Sequence, residues 1–243
     1  MSSKENKQFW EDCNLSYSKV WETRGRQEMS KRELGYIDQC LQKFKPSKIL
    51  DVGVGNGRIL ENLIKFSPPR AEISGIDISN EMVIICQKKF RGNKKIKAIS
   101  VCDLSAEELS FKDKFDFVTM VRVLKYNQNW PQMIEKIYGR LLPGGIFIFT
   151  MPNKISISFF SGDTFSEKNI PILYSSKAEL KKILVNTGLK LIEFRAFSKM
   201  PNFLYHICQN KFYVKFLLFV EKILEIILGN SFLGRELFVV CIK

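Results

Sequence analysis

The 243-residue sequence contains one histidine, and its six cysteines (Cys13, Cys40, Cys86, Cys102, Cys208 and Cys241) stand far apart with no CxxC pair. Zinc sites are built from closely spaced thiolates and imidazoles, so no metal is expected. The first residues are polar and charged rather than an apolar secretory leader, and scattered thiols in such a chain suit a reducing compartment. The expectation is a cytoplasmic protein with free, buried cysteines. An uncharged apolar run of bilayer length is also lacking. The most apolar stretch, FYVKFLLFVEKILEIIL at 212–228, carries Lys215, Glu221, Lys222 and Glu225 on one third of its helical wheel. A helix of that kind packs in a core, joins two copies of the chain or lies on a membrane surface. Acids are scarce beside bases, 25 against 38, and the net charge of +13 invites an anionic partner without choosing among nucleic acid, membrane and small molecule.

What is present is an alternation. Residues 1–45 read as two helical stretches ending before Pro46. From Lys48 short apolar runs (KILDV, EISGID, IKAISVC, FDFVTMV, IFIFTM) are separated by amphipathic stretches of helical length. Strands joined by helices pair in parallel, so the fold class is α/β, doubly wound, with 46–243 as a single domain. LKLIEFRAF and the closing RELFVVCIK read as two further strands. Residues 153–175 form an irregular connection too long to be without purpose, and with 199–234 they are expected as insertions on the substrate side.

The chemistry lies in three places. In ILDVGVGNGRIL, glycines 53, 55 and 57 follow a strand and precede a helix, a turn that lets backbone approach a ligand closely. The dinucleotide pattern GxGxxG requires a third glycine where Arg58 stands, and no Lys-Ser/Thr pair follows to make a phosphate loop. Asp51, two residues before the first glycine, would repel a pyrophosphate but suits a ligand with an ammonium and a sulfonium, such as S-adenosylmethionine. Asp77 ends the second strand, 20 residues after Gly57, where an acid accepts the hydroxyls of a ribose. Asp103, after the third strand, is placed to accept from an adenine amino group or to cap the helix that follows.

These acids in order, on strand ends, resemble the class I S-adenosylmethionine-dependent methyltransferases. The resemblance runs from about residue 10 to 200 through five stretches in register: ILDVGVGNGRIL, ISGIDISNEM, VCDLSAEEL, FDFVTMVRVLKYNQNW and LLPGGIFIFTMPN. It implies a seven-stranded, mostly parallel, Rossmann-like sheet with helices on both faces and an antiparallel last strand. It also implies a donor, S-adenosyl-L-methionine, and a product, S-adenosyl-L-homocysteine. By the same resemblance Asp51, Gly53, Gly55 and Gly57 belong to the methionine end of the site and Asp77 to the ribose. Ile78, Met82, Asp103 and Leu104 surround the adenine, and Met120 and Val121 receive the amino group. In related enzymes an N-terminal helix closes over the cofactor, so residues 1–45 are expected as an N-terminal helical lid, with Tyr17, Trp21 and Arg24 as its residues over the cofactor.

The sequence departs from the family where VLEHV is usual and this chain reads VLKYN, so Tyr126 replaces the usual histidine. Tyr126 and His206 are the candidate bases, with Asp163 behind them. Arg122, at the mouth of the fourth strand, either clamps an anionic acceptor together with Tyr126 or pairs with a helix residue. The expected acceptor is an oxygen or nitrogen of a small molecule, a sugar or another biosynthetic intermediate. The basic run Lys88 to Lys97 falls at the opposite edge of the sheet from the site, and no basic–aromatic interleaving is present to stack bases, which argues against nucleic acid. An RNA or protein methyltransferase, and a non-catalytic S-adenosylmethionine-binding protein, stand as the alternatives. A homodimer or a membrane surface remains the partner suggested by 212–228.

Overall fold

The computed structural model describes residues 3–12, 22–109, 111–160, 172–201, 203–206 and 209–243. Tyr17, Trp21 and Asp163, and the cysteines 13 and 208, lie outside them.

Strands β1 (Lys48–Val52), β2 (Glu72–Asp77), β3 (Ile96–Val101), β4 (Phe115–Met120), β5 (Leu141–Pro152), β6 (Lys190–Phe197) and β7 (Glu236–Ile242) form one sheet in the order 3-2-1-4-5-7-6. Pairing is parallel from β3 through β5, and β7 is antiparallel to both its neighbours. The seven-stranded sheet with one reversed strand is therefore present. Successive residues of a strand point to opposite faces, and the two cores show it: Ile49 and Phe117 join one, Leu50 and Val118 the other.

Helices cover both faces. On one lie α2 (Arg24–Phe44), α3 (Arg58–Phe66) and α4 (Asn80–Lys89), through Ile37, Leu60 and Val83. On the other lie α5 (Trp130–Arg140) and α7 (Lys177–Thr187), through Ile134 and Leu180. A full capping box, Ser176 with Glu179, starts α7, and Gly188 at φ 88° ends it. The short α1 (Ser3–Asp12), α6 (Ile157–Phe160) and α8 (Phe203–His206) and the long α9 (Lys211–Leu228) complete the set.

The chain leaves β1 toward β2 on one side and later returns to place β4 on the other, so a crevice opens between β1 and β4 at their carboxyl ends. Because β5 and β6 run in the same direction as β1, the chain also leaves these strands at that end, at Asn153 and Ser198. The basic run lies at the other end, where the Lys95 ammonium donates to the carbonyls of Ile64 and Ser67 at the foot of α3. The two N-terminal helices differ in role. Helix α2 is part of the core through Met29, Tyr36, Ile37 and Leu41, while α1 lies over the crevice.

Candidate active site

A concave pocket fills the crevice, its space about 690 Å³ when the open mouth is counted. The first turn builds one wall. Gly53, Gly55 and Gly57 all have positive φ, at 78°, 52° and 85°, and the N–H groups of Gly53 and Val54 both donate to Ile76 O, which folds the loop back onto β2. A β-carbon on Gly53 would lie 2.3 Å from a Val123 methyl, and one on Gly57 would lie 2.6 Å from the Phe90 ring. Glycine is thus needed here for conformation and for space.

The acids take distinct places. Asp77 lines the cavity; its Oδ2 accepts from Gly55 N at 2.8 Å and its Oδ1 from Ser79 N at 2.9 Å. Burial raises its pKa even against those donors and Ile78 N–H. A carboxylate has about four acceptor positions, so these backbone donors do not exhaust it and capacity remains for a ligand. Asp103 and Leu104 also line the cavity, and Asp103 accepts from Ser105 N at 3.0 Å, so lining and local turn coexist in one side chain. Ile78, Met82 and Val121 complete this part of the wall.

Asp51 sits beneath the floor, 1% exposed, rather than in the lining. The Thr119 hydroxyl donates to its Oδ1 at 2.7 Å. Its Oδ2 is buried with no hydrogen-bond partner among the described residues. Burial pushes the carboxyl up to about 7; Thr119 opposes the rise and neighbouring Asp77 adds to it. An orphaned acid oxygen close to a second acid fits a cationic ligand and disfavours a pyrophosphate.

A raised folded-state pKa predicts the pH behaviour. The carboxyl in the unfolded chain ionises near ~4. The stability that goes with protonated Asp51 is therefore full below that value and is lost as pH rises to about 7. Asp51→Asn should melt above wild type at neutral pH in the ligand-free protein, by a margin on the order of a few kcal/mol, and the margin should close as the pH falls toward 4. Melting curves in a pH series check this, and a margin independent of pH would place the carboxyl's titration elsewhere.

The remaining predicted residues divide. Arg122 and Tyr126 line the cavity. Gly57 and Met120 do not; Gly57 caps α3 and Met120 lies within the core of the second face. Arg24 is exposed at the start of α2, and the side chain of His206 lies outside the described residues. Arg122 is not free to clamp an acceptor, because its Nη2 pairs with Glu33 on α2 and its Nε with Glu236 at 2.8 Å. Of the two roles read for it, the structure supplies the helix pair.

Sequence reasoning missed Asn6 and Trp10. Asn6 Nδ2 donates to Asn127 Oδ1 at 2.9 Å, and the Trp10 ring meets Tyr126 edge to face at 5.1 Å. Both line the cavity, closing its mouth from α1. The one local signal was Phe9-Trp10 in an otherwise polar helix. Lys125, next to Tyr126, was also missed; it is 2% exposed, and burial lowers its pKa to about 7. Among the described residues no cluster of side chains suits a metal, the four described cysteines are free and buried, and no helix is long and apolar enough to cross a membrane.

Comparison with known proteins agrees with this geometry. Residues 50–149 match the family described as "Methyltransferase domain". The mitochondrial ubiquinone biosynthesis O-methyltransferase of Rattus norvegicus is 32% identical over 157 residues, covering 59% of this chain and 44% of that one. Demethylmenaquinone methyltransferase of Porphyromonas gingivalis is 26% identical over 134 residues, covering 54% and 55%. This chain thus spans about half the length of the curated relatives it matches. Among solved structures, magnesium protoporphyrin IX methyltransferase from Synechocystis with bound SAH superposes with a TM-score of 0.67 at 13% identity, covering 99% of both chains, a likeness of fold. With its motifs in register on a seven-stranded sheet of this order, the chain has the fold of S-adenosylmethionine-dependent methyltransferases of known structure, and its residues 50–149 are similar to a methyltransferase domain.

Proposed function

We propose that the chain binds S-adenosyl-L-methionine in this crevice and methylates an oxygen of a small-molecule acceptor, releasing S-adenosyl-L-homocysteine. The observation that carries the reading is the set of three acids at the cavity, above all the unpartnered Asp51 oxygen under its floor, which suits a ligand bearing an ammonium and a sulfonium. When bound, the cofactor supplies an electrophilic methyl group. Asp77 accepts the ribose hydroxyls on the acceptor positions it has left over from Gly55 and Ser79. Asp103 and Leu104 hold the adenine, and Gly53 and Gly55 let backbone close on the methionine part. Trp10 and Asn6 exclude water from the mouth, and Tyr126 orients the acceptor and, entering the step as its phenolate, takes up the proton that the acceptor oxygen loses as it gains the methyl group. Relatives named for ubiquinone and menaquinone biosynthesis direct the choice of acceptor toward quinone precursors.

The test is turnover. Incubation with S-adenosyl-L-methionine and a panel of quinone precursors should give a methylated product and S-adenosyl-L-homocysteine in equal amounts by mass spectrometry; cofactor binding with no product across the panel would favour the non-catalytic reading. Tyr126→Phe should leave cofactor affinity unchanged and slow single-turnover methyl transfer by about a hundredfold. An unchanged rate removes the proton-accepting role from Tyr126.

A further inference from the structure

Helix α9 is turned inside out. Its two acids face the protein: Glu221 is fully buried, accepting from Met200 N at 2.8 Å and from the Tyr205 hydroxyl, and Arg32 on α2 pairs with Glu225. Val214 and Leu217 pack inward beside them, but six large apolar side chains face outward, with Phe212 82%, Phe216 62%, Phe219 60%, Ile226 75% and Ile227 72% exposed, and Ile223 between them. At 3.6 residues per turn and 1.5 Å per residue these six fall within an arc of about 100°, a continuous stripe about 23 Å long. Lys211, Lys215 and Lys222, all exposed, border the stripe along one side. Scattered single apolar residues are ordinary on a surface, whereas a large contiguous exposed apolar patch marks an interaction site.

The charge pattern selects the partner. The exposed part of the helix carries lysines and no acid, since Arg32 holds Glu225 and Glu221 is inside. A second copy of the chain would bring the same lysines and no carboxylate from this helix to meet them. An anionic bilayer meets both halves of the surface, with headgroup charge for the lysines and the acyl boundary for the stripe. No described helix can span a membrane, so α9 would lie in the interface. We infer that α9 docks this protein onto anionic phospholipid membranes, with Phe212, Phe216, Phe219, Ile223, Ile226 and Ile227 entering the interface and the three lysines contacting headgroups. The inference goes beyond methyl transfer and holds whatever the acceptor.

Co-sedimentation of the full chain with vesicles tests it, using phosphatidylcholine alone and an equal mixture of phosphatidylcholine with phosphatidylglycerol. The protein should pellet with the mixed vesicles, much less with phosphatidylcholine, and progressively less as salt is added. Phe216→Ser with Phe219→Ser should cost about tenfold in partition per ring while changing the melting temperature little, because both rings are mostly exposed. Phe212→Ser is the second variant should that pair disturb the fold. Lys211→Gln, Lys215→Gln and Lys222→Gln should each cost about fivefold on the anionic vesicles. Wild type that stays in the supernatant with both vesicle types overturns the inference, as does a serine double variant that pellets like wild type. A dimer that those serine variants dissociate, without vesicle binding, would also overturn it in favour of a second copy on this face.

Discussion

Asp77→Ala should weaken S-adenosyl-L-methionine binding by at least about a hundredfold. Two hydroxyls donating to one carboxylate are charge-assisted hydrogen bonds worth ~1.5–3 kcal/mol each, so losing both removes ~3 kcal/mol or more. The structure adds a second effect. Asp77 also pins the glycine turn, through Gly55 N on Oδ2, and the start of α4, through Ser79 N on Oδ1. Alanine leaves those two N–H groups without their acceptor in a site only 8% exposed, and the fold should lose about 2–4 kcal/mol. Asp77→Asn separates the two effects, since one amide oxygen still accepts while the charge and one acceptor are gone; an intermediate loss of about tenfold is expected. Calorimetric titration alongside melting curves checks both, and unchanged affinity in the alanine variant would remove Asp77 from the ribose role.

The strands and the glycine turn were legible because their signals are local. Alternation along β1 sends Ile49 and Leu50 to opposite cores, and three glycines after it need only the chain on either side. The parts that were not legible depend on pairs far apart in sequence. Asn6 reaches the site only by meeting Asn127, 121 residues away, so within residues 3–12 alone only the Phe9-Trp10 pair hints at a covered site. Helix α9 is a sharper case. A wheel that gathers its charges on one side normally predicts a wet polar face, but Arg32, 193 residues before Glu225, captures the acids and leaves the apolar side outward. Amphipathic periodicity tells that two faces differ, and the rest of the chain decides which one is buried. At Arg122 the sequence left two roles open for the same reason, because Glu33 and Glu236 are brought to it by α2 and β7.

Arg122→Ala should therefore be the most destabilising substitution in the cavity wall. Its guanidinium lies between Glu33 and Glu236, which are 2% and 3% exposed, so alanine leaves two buried carboxylates short of a cation. Breaking a buried pair from one side costs about 3–5 kcal/mol, which for a chain of this size lowers the melting temperature by about 10 °C. Arg58, 3.4 Å from Glu33, softens the loss on that side, and Lys125 and Arg235 remain near Glu236. Burial by itself would raise the Glu236 carboxyl, but Arg122, Lys125, the Thr150 hydroxyl and Arg235 together hold it below its ordinary value. Stability from a depressed carboxyl is full above its unfolded pKa of ~4.3 and is lost as pH falls through the lower folded value. The gap between wild type and Arg122→Ala should accordingly narrow in acid. The backbone supplies a further check, because Arg122 sits at φ 63°, held there by its N–H donating to the Thr150 hydroxyl at 2.8 Å. Glycine adopts that conformation without the ~1 kcal/mol strain of a side chain, so Arg122→Gly should melt above Arg122→Ala though well below wild type. Arg122→Lys keeps the charge but cannot reach both carboxylates as a planar fork does, and it should fall between glycine and wild type. If all three variants melt with wild type while the acceptor KM rises, the arginine serves the acceptor and the two glutamates hold their charge without it.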